Sequence, residues 1–172
     1  MGTILHGTRV ELRPVIGDDV NELARIRATP EVYQRWGGGP DVVATITEAL
    51  SDVDVHSLTV VREGRVVGMI QWSEEADPDY RHANIDIFLD PAVHGLGLGT
   101  DAVRTLARHL LAQQGHHRLV IDPAADNAAA IRAYEKVGFR PVGIMRRYER
   151  GPDGTWHDGL LMDLLADDLI DD

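Results

Sequence analysis

Asn84-Ile85-Asp86-Ile87-Phe88-Leu89, followed after a turn by His94-Gly95-Leu96-Gly97-Leu98-Gly99-Thr100 and then Asp101-Ala102, is the stretch that decides the fold. It reads as a strand, a glycine-rich turn and the start of a helix. Glycines at alternate positions leave the backbone free of side chains, so its N–H groups can close on a ligand. The helix adds its first unpaired N–H groups and the positive end of its dipole. Together they predict an anion site, most simply one for a phosphate or pyrophosphate.

Downstream, Val103, Leu106, Ala107, Leu110 and Leu111 follow the spacing of an amphipathic helix. Arg118 to Asp122 is a short apolar strand of the kind buried on both faces. Asp126 or Asn127 caps a second helix through Val137. Phe139 to Glu149, the turn Gly151-Pro152-Asp153-Gly154, and Trp156 to Leu165 make a terminal pair of strands. The acidic tail from Ala166 is expected to fray. Upstream, Val10 to Arg13 is a first strand, followed by helices from Asp18 or Asp19 to about Arg27, from Pro30 to Trp36, and from Asp41 to Leu50. His56 to Arg62 and Arg65 to Trp72 form a hairpin around Glu63-Gly64, and Glu74-Glu75-Ala76-Asp77-Pro78-Asp79 is an acidic loop. The order predicts one α/β (α+β) domain over residues 1–172. Its mixed sheet is antiparallel early and has a parallel β-α-β crossing in the middle.

The 172 residues carry 28 acidic and 17 basic side chains, a formal net charge of −11. That balance opposes binding to nucleic acid or anionic lipid and favours cationic partners. Equally, it matches the acidic, Arg-rich proteins of halophilic or high-GC organisms; Lys136 is the only lysine. There is no cysteine, which excludes disulfides and thiolate zinc sites. No apolar stretch reaches a membrane span, and Met1 to His6 does not resemble a signal peptide, so a cytoplasmic location is expected. The pair His116-His117 before a strand reads as surface, and no metal site is expected.

Gly97-Leu98-Gly99-Thr100-Asp101-Ala102 also fits the dinucleotide fingerprint G-x-G-x-x-A, with Asp122 at about the distance of the ribose-binding acid. The element order opposes that reading, because such domains open with the fingerprint and continue with β-α units. His94-Gly95-Leu96-Gly97-Leu98-Gly99 instead resembles the acyl-CoA motif of the GCN5-related N-acetyltransferases (GNAT), with His94 in place of the usual Arg or Gln. Asn127, Ala130 and Tyr134-Glu135-Lys136-Val137-Gly138-Phe139 are similar to that family's second signature. Within the family, Trp36-Gly37-Gly38, Ile85-Asp86, Asp122-Pro123 and Ala130 to Lys136 resemble the aminoglycoside 6′-N-acetyltransferases.

The resemblance implies a sheet of about seven strands and about four helices, splayed between the fourth and fifth strands, Asn84–Leu89 and Arg118–Asp122. It implies acetyl-CoA as co-substrate. Its pyrophosphate would lie on backbone N–H groups of Gly95, Leu96, Gly97, Leu98, Gly99 and Thr100, in a loop supported by His94. Its pantetheine arm would lie along Ile87, Phe88 and Leu89 and bond to Asn127. Tyr134 would protonate the leaving thiolate; its alternative is a core-facing helix residue. Asp86, mid-strand between isoleucines, is the general base or ammonium anchor, or else an acid on a solvent-facing sheet. Trp36, Glu74, Asp86 and Asp122 would form an acidic groove for a cationic amine. Asp122 reads equally as a turn residue before Pro123, and Trp36 as a plug at the core edge. The expected activity is acetyl transfer to an aminoglycoside amine. The alternatives are a protein N-terminus or small amine as acceptor, and, from another class, a non-catalytic CoA-binding regulator. Homodimers are frequent in the family, though no stretch identifies an interface.

Overall fold

Positive φ at both Glu63 (50°) and Gly64 (76°) gives the two-residue turn that matches strand twist. It joins β3 (His56–Arg62) to β4 (Arg65–Glu75), an antiparallel pair of the sheet. The computed structural model describes residues 2–171. Around that hairpin lie β1 (Leu5–His6), β2 (Glu11–Pro14), β5 (His82–Leu89), β6 (Arg118–Ile121), β7 (Arg140–Arg150) and β8 (Trp156–Leu165). The eight strands form one sheet in the order β1-β2-β3-β4-β5-β6-β8-β7. Only β5 and β6 are parallel, and they pair only at Ala83–Leu119 and Asn84–Val120. Beyond Asn84 the two strands separate, so the expected splay is present.

Among the described residues five helices flank the sheet: α1 (Asp19–Arg27), α2 (Pro30–Trp36), α3 (Val42–Leu50), α4 (Leu98–Ala112) and α5 (Ala128–Glu135). Strand alternation divides the core. Ile85 and Leu89 of β5 join Leu98, Val103, Leu106 and Leu110 of α4 in one cluster. Met69 and Phe88 turn to the opposite face and pack with Leu23 and Ile26 of α1 and Ile46 of α3. Each face of a half-buried strand thus has its own helical cover.

Several expectations change. The short β1 adds an eighth strand, pairing Leu5 with Leu12, and the helices number five. β4 runs on to Glu75 and β5 starts at His82, so Glu74 and Glu75 belong to a strand and not to a loop. His116 is buried, not on the surface. Its Nε2 lies 2.8 Å from Glu74 Oε2 and its Nδ1 3.3 Å from the Leu110 carbonyl oxygen. The tail is pinned, not frayed: Ile170 N–H donates to the Val137 carbonyl (2.9 Å), and Arg104 Nε donates to the Ile170 carbonyl (2.8 Å). Gly138, at φ 116°, allows this, because a Cβ there would lie 2.0 Å from the Asp168 carbonyl oxygen.

Candidate active site

The glycine loop is built from its support upward. β5 ends at Leu89, and a 3-10 turn at Pro91–Val93 follows, its start capped by Asp90, which accepts from Ala92 N–H at 2.9 Å. The His94 Nε2 then lies 3.1 Å from the Leu89 carbonyl oxygen, tying the loop back to the strand. Gly95 (φ 78°) and Gly97 (φ 77°) take left-handed conformations, and Gly97 is the N-cap of α4. The exposed backbone of residues 94–97 therefore runs into the first turn of a 15-residue helix, whose leading N–H groups have no i−4 partner. Behind it, Asp101 locks the helix to the chain before β2. Its carboxylate accepts from the N–H groups of Thr8 (3.1 Å), Arg9 (2.7 Å) and Val10 (3.0 Å) and from the Thr8 hydroxyl (2.9 Å). An anionic group approaching the loop meets backbone donors and, beside them, the Arg9 guanidinium, whose Nη1 donates to the Leu96 carbonyl at 2.6 Å.

Where β5 and β6 part, a cleft of about 250 Å³ opens, lined among others by Trp36, Asp86, Asp122, Asn127, Tyr134 and Glu149. Ile87 also lines it. Phe88 is buried and does not line the cleft, its ring edge-on to Trp36 at 5.1 Å between centroids. Trp36 is half-buried. The Arg27 guanidinium lies 5.4 Å from its ring centre and bonds to the Trp36 and Gly37 carbonyls. One side of the indole plugs the core and the other faces the cleft. Asn127 accepts from Ala130 N–H at 3.3 Å to cap α5, which leaves its amide nitrogen as a donor.

Asp86 sits on the cleft floor, where burial first, and then the charges of Asp122 and Glu149, push its pKa up to about 6 against a bond from Gln71 that lowers it. Solvent reaches its side chain through the open mouth, while the surrounding walls still penalise charge. Tyr134 is buried. Burial first, then Asp86 and Asp122, raise its hydroxyl far above the ordinary phenol range, so it stays protonated. Asp122 accepts from the Tyr148 hydroxyl, whose pKa is pushed up to about 12 by that bond and by burial. Glu149 is raised by burial first and then by Asp122. Arg35 bridges the mouth, its Nη1 2.6 Å from Asp126 Oδ1.

The structure thus brings Trp36, Asp86, Asp122, Asn127 and Tyr134 together. It does not bring Glu74, whose carboxylate is held by His116 at 2.8 Å and Arg81 at 3.6 Å away from the cleft lining. Sequence reading missed Tyr148 and Glu149. Both lie on a strand whose alternation would put one of them on the far face, and only a backbone irregularity brings both to bear. It also missed Arg35 and Gln71, for which no spacing signal exists.

A mixed sheet whose two parallel strands part, with a glycine-rich loop leading into the helix that follows the first of them, defines a class, the acetyltransferase-type α/β domain. Residues 9–140 match the family described as acetyltransferase (GNAT) domain, and the chain belongs to that family. The aminoglycoside N(6′)-acetyltransferase type 1 of Klebsiella pneumoniae is 31% identical over 139 residues, covering 69% of this chain and 66% of that protein. The chain thus spans just under two thirds of that relative's length. The N-alpha-acetyltransferase RimI of Mycobacterium tuberculosis is 31% identical over 115 residues, 66% of this chain and 70% of that one. Among solved structures, Mycobacterium smegmatis RimJ in complex with CoA-disulfide superposes with a TM-score of 0.87 at 24% identity, covering 98% of this chain and 90% of that one. Among the described residues no helix is long and apolar enough to cross a membrane, and no group of three or more His, Asp or Glu side chains is arranged to hold a metal ion.

Proposed function

We propose that this protein transfers an acetyl group from acetyl-CoA directly to a primary amine of a small cationic acceptor, with aminoglycosides as the first candidates. One observation carries the reading: Asp86, Asp122 and Glu149 meet in one cleft that Tyr134 also lines. Asp122 adds to the raised pKa of both Asp86 and Glu149, and a cleft that gathers carboxylates in this way is most comfortable when a cation lies among them.

The donor fits the residues present. Backbone N–H groups of residues 95–100, with two glycines at positive φ and the Arg9 guanidinium beside Gly97, suit a pyrophosphate. The unpaired edge of β5 beyond Asn84 suits an extended amide arm, and the Asn127 amide nitrogen supplies a further donor. When bound, acetyl-CoA supplies an activated carbonyl on a thiol leaving group. Asp86 holds the acceptor ammonium and takes its proton, directly or through a water. The amine lone pair then forms the new C–N bond as the C–S bond breaks. Tyr134 gives its hydroxyl proton to the departing sulfur and is reprotonated from solvent. Two protons leave the acceptor nitrogen: Asp86 passes the first, from the ammonium, to solvent and takes the second as the C–N bond forms, and that second proton balances the one Tyr134 gives to sulfur.

A second reading, acetylation of a protein N-terminus, draws on the similarity to RimI and uses the same chemistry. The deciding experiment is thiol release from acetyl-CoA with kanamycin, spermine and short free-N-terminus peptides as acceptors. Release with kanamycin supports the first reading. Release with peptides alone replaces it by the second. Release with none of the panel, with CoA bound tightly, favours a CoA-binding regulator.

A further inference from the structure

Tyr148 and Glu149 are consecutive on β7, yet one bonds to Asp122 and the other lines the cleft beside it. A regular strand sends neighbours to opposite faces. The explanation is a bulge: the register of β7 against β8 shifts between Met145 and Glu149, and Arg147 within it adopts φ 50°. A left-handed conformation is disfavoured for a side chain such as arginine and persists only where something holds it. What holds it is Asp158. The Asp158 carboxylate accepts the Arg147 N–H at 2.7 Å.

The same residue holds the opposite wall. The Asp158 carbonyl accepts the Ala125 N–H at 2.9 Å, and two residues on, Leu160 N–H donates to the Pro123 carbonyl at 2.9 Å. These bonds extend β8 along the segment between Asp122 and Asp126, both of which line the cleft. Its neighbour Gly159 completes the fit: a Cβ there would lie 3.0 Å from Tyr148 Cδ1 and 3.2 Å from Met145 Cε. The ring that reaches Asp122 therefore rests over a position with no side chain.

We propose that Asp158 is a positioning residue for acceptor recognition. It joins the bulge carrying Tyr148 and Glu149 to the segment carrying Asp122 and Asp126, and so sets the spacing of the carboxylates that receive the cationic acceptor. Asp158 touches neither the glycine loop nor Tyr134, so its effect falls on the acceptor and not on the donor. This rests on the acetyl-transfer reading above.

The test compares Asp158→Ala, Asp158→Asn and the double variant Asp158→Ala with Arg147→Gly. Steady-state kinetics with kanamycin and spermine are paired with calorimetric titration of each amine into CoA-saturated protein, which reads binding without turnover. Asp158→Ala should raise acceptor KM and Kd about tenfold, the scale of one charge-assisted hydrogen bond, with kcat and acetyl-CoA KM within about twofold. Asp158→Asn, which keeps an accepting oxygen, should stay near the wild type. Glycine at 147 adopts positive φ without strain, so the double variant should recover much of the lost acceptor affinity. Acceptor KM and Kd unchanged in Asp158→Ala, or a uniform loss that Arg147→Gly does not restore, overturns the proposal. Should Asp158→Ala fail to fold, the Asn and double variants decide alone: an unrestored acceptor Kd in the double variant, or one weakened in Asp158→Asn, overturns it. A wild type that neither turns over nor binds either amine overturns the functional reading itself, and the positioning role with it.

Discussion

His94 Nε2 lies 3.1 Å from the carbonyl oxygen of Leu89, so the residue opening the glycine loop is fastened to the end of the strand that leads into it. The bond keeps the backbone of residues 95–97 aimed at one place while leaving it exposed. His94→Ala should therefore raise the acetyl-CoA KM by roughly two- to tenfold, the value of one net hydrogen bond, with little change in kcat. His94→Gln, which keeps a donor, should lose less. Initial-rate kinetics with varied acetyl-CoA check both.

Asp86 predicts a pH profile with a definite sign. Its pKa in the fold stands at about 6, raised by burial and by neighbouring charge above the ordinary 3.8. Amine-dependent kcat/KM should fall as pH drops through about 6, since the protonated acid can neither anchor nor deprotonate an ammonium, and Asp86→Asn should lose most activity at neutral pH. Stability moves the other way. A raised carboxyl contributes stability that is fully present below pH 3.8 and is lost as pH rises through 6. In protein free of ligand, Asp86→Asn should thus melt at a higher temperature than the wild type at pH 7.5 and at about the same temperature near pH 4. Melting curves at the two pH values decide it.

Tyr134 should behave as an acid that never ionises in the working range, because burial and the charges of Asp86 and Asp122 all oppose phenolate formation. Tyr134→Phe should lower kcat by about a hundredfold, the scale of a general-acid contribution, and leave acetyl-CoA binding by calorimetry unchanged. No alkaline limb below pH 10 should be traceable to Tyr134. Unchanged turnover in the phenylalanine variant would return the residue to a packing role.

Asp101 ties the first turn of α4 to Thr8, Arg9 and Val10 through four accepted bonds. Burial alone would raise its pKa, but those donors outweigh it and hold it low. Asp101→Ala leaves three backbone N–H groups without their acceptor and should cost about 3 kcal/mol in denaturant unfolding. With a depressed pKa, the carboxylate contributes stability present above the ordinary carboxyl range and lost as pH falls through its folded value. The wild-type advantage over the variant should therefore shrink on acidification.

Much of the fold was legible because it is locally encoded. Alternation in His56 to Arg62, the Glu63-Gly64 turn, the period of α4 and the limits of β8 each follow from short-range rules, and all appear where expected. The glycine loop was legible for the same reason, since positive φ at Gly95 and Gly97 is a property of residue type. The misread segments are those in which distant partners decide. Glu74 looked like part of a solvent loop until β5 extended beside it and His116 took its carboxylate. The acidic tail looked free until Gly138 gave it a place to dock.

The sequence by itself determined the element order and the glycine loop, because periodicity and turn chemistry are written within a few residues of each other, and its resemblance to the family supplied the candidates Asp86, Asp122 and Tyr134. Only the tertiary structure decided which acids share the cleft. Asp86, Asp122 and Glu149 come from β5, from the end of β6 and from β7. Their meeting depends on where two parallel strands part and on a bulge held by Asp158 across the sheet. Side-chain direction in a strand inverts with a shift of a single residue, so no local pattern around Tyr148 and Glu149 could state which way they face.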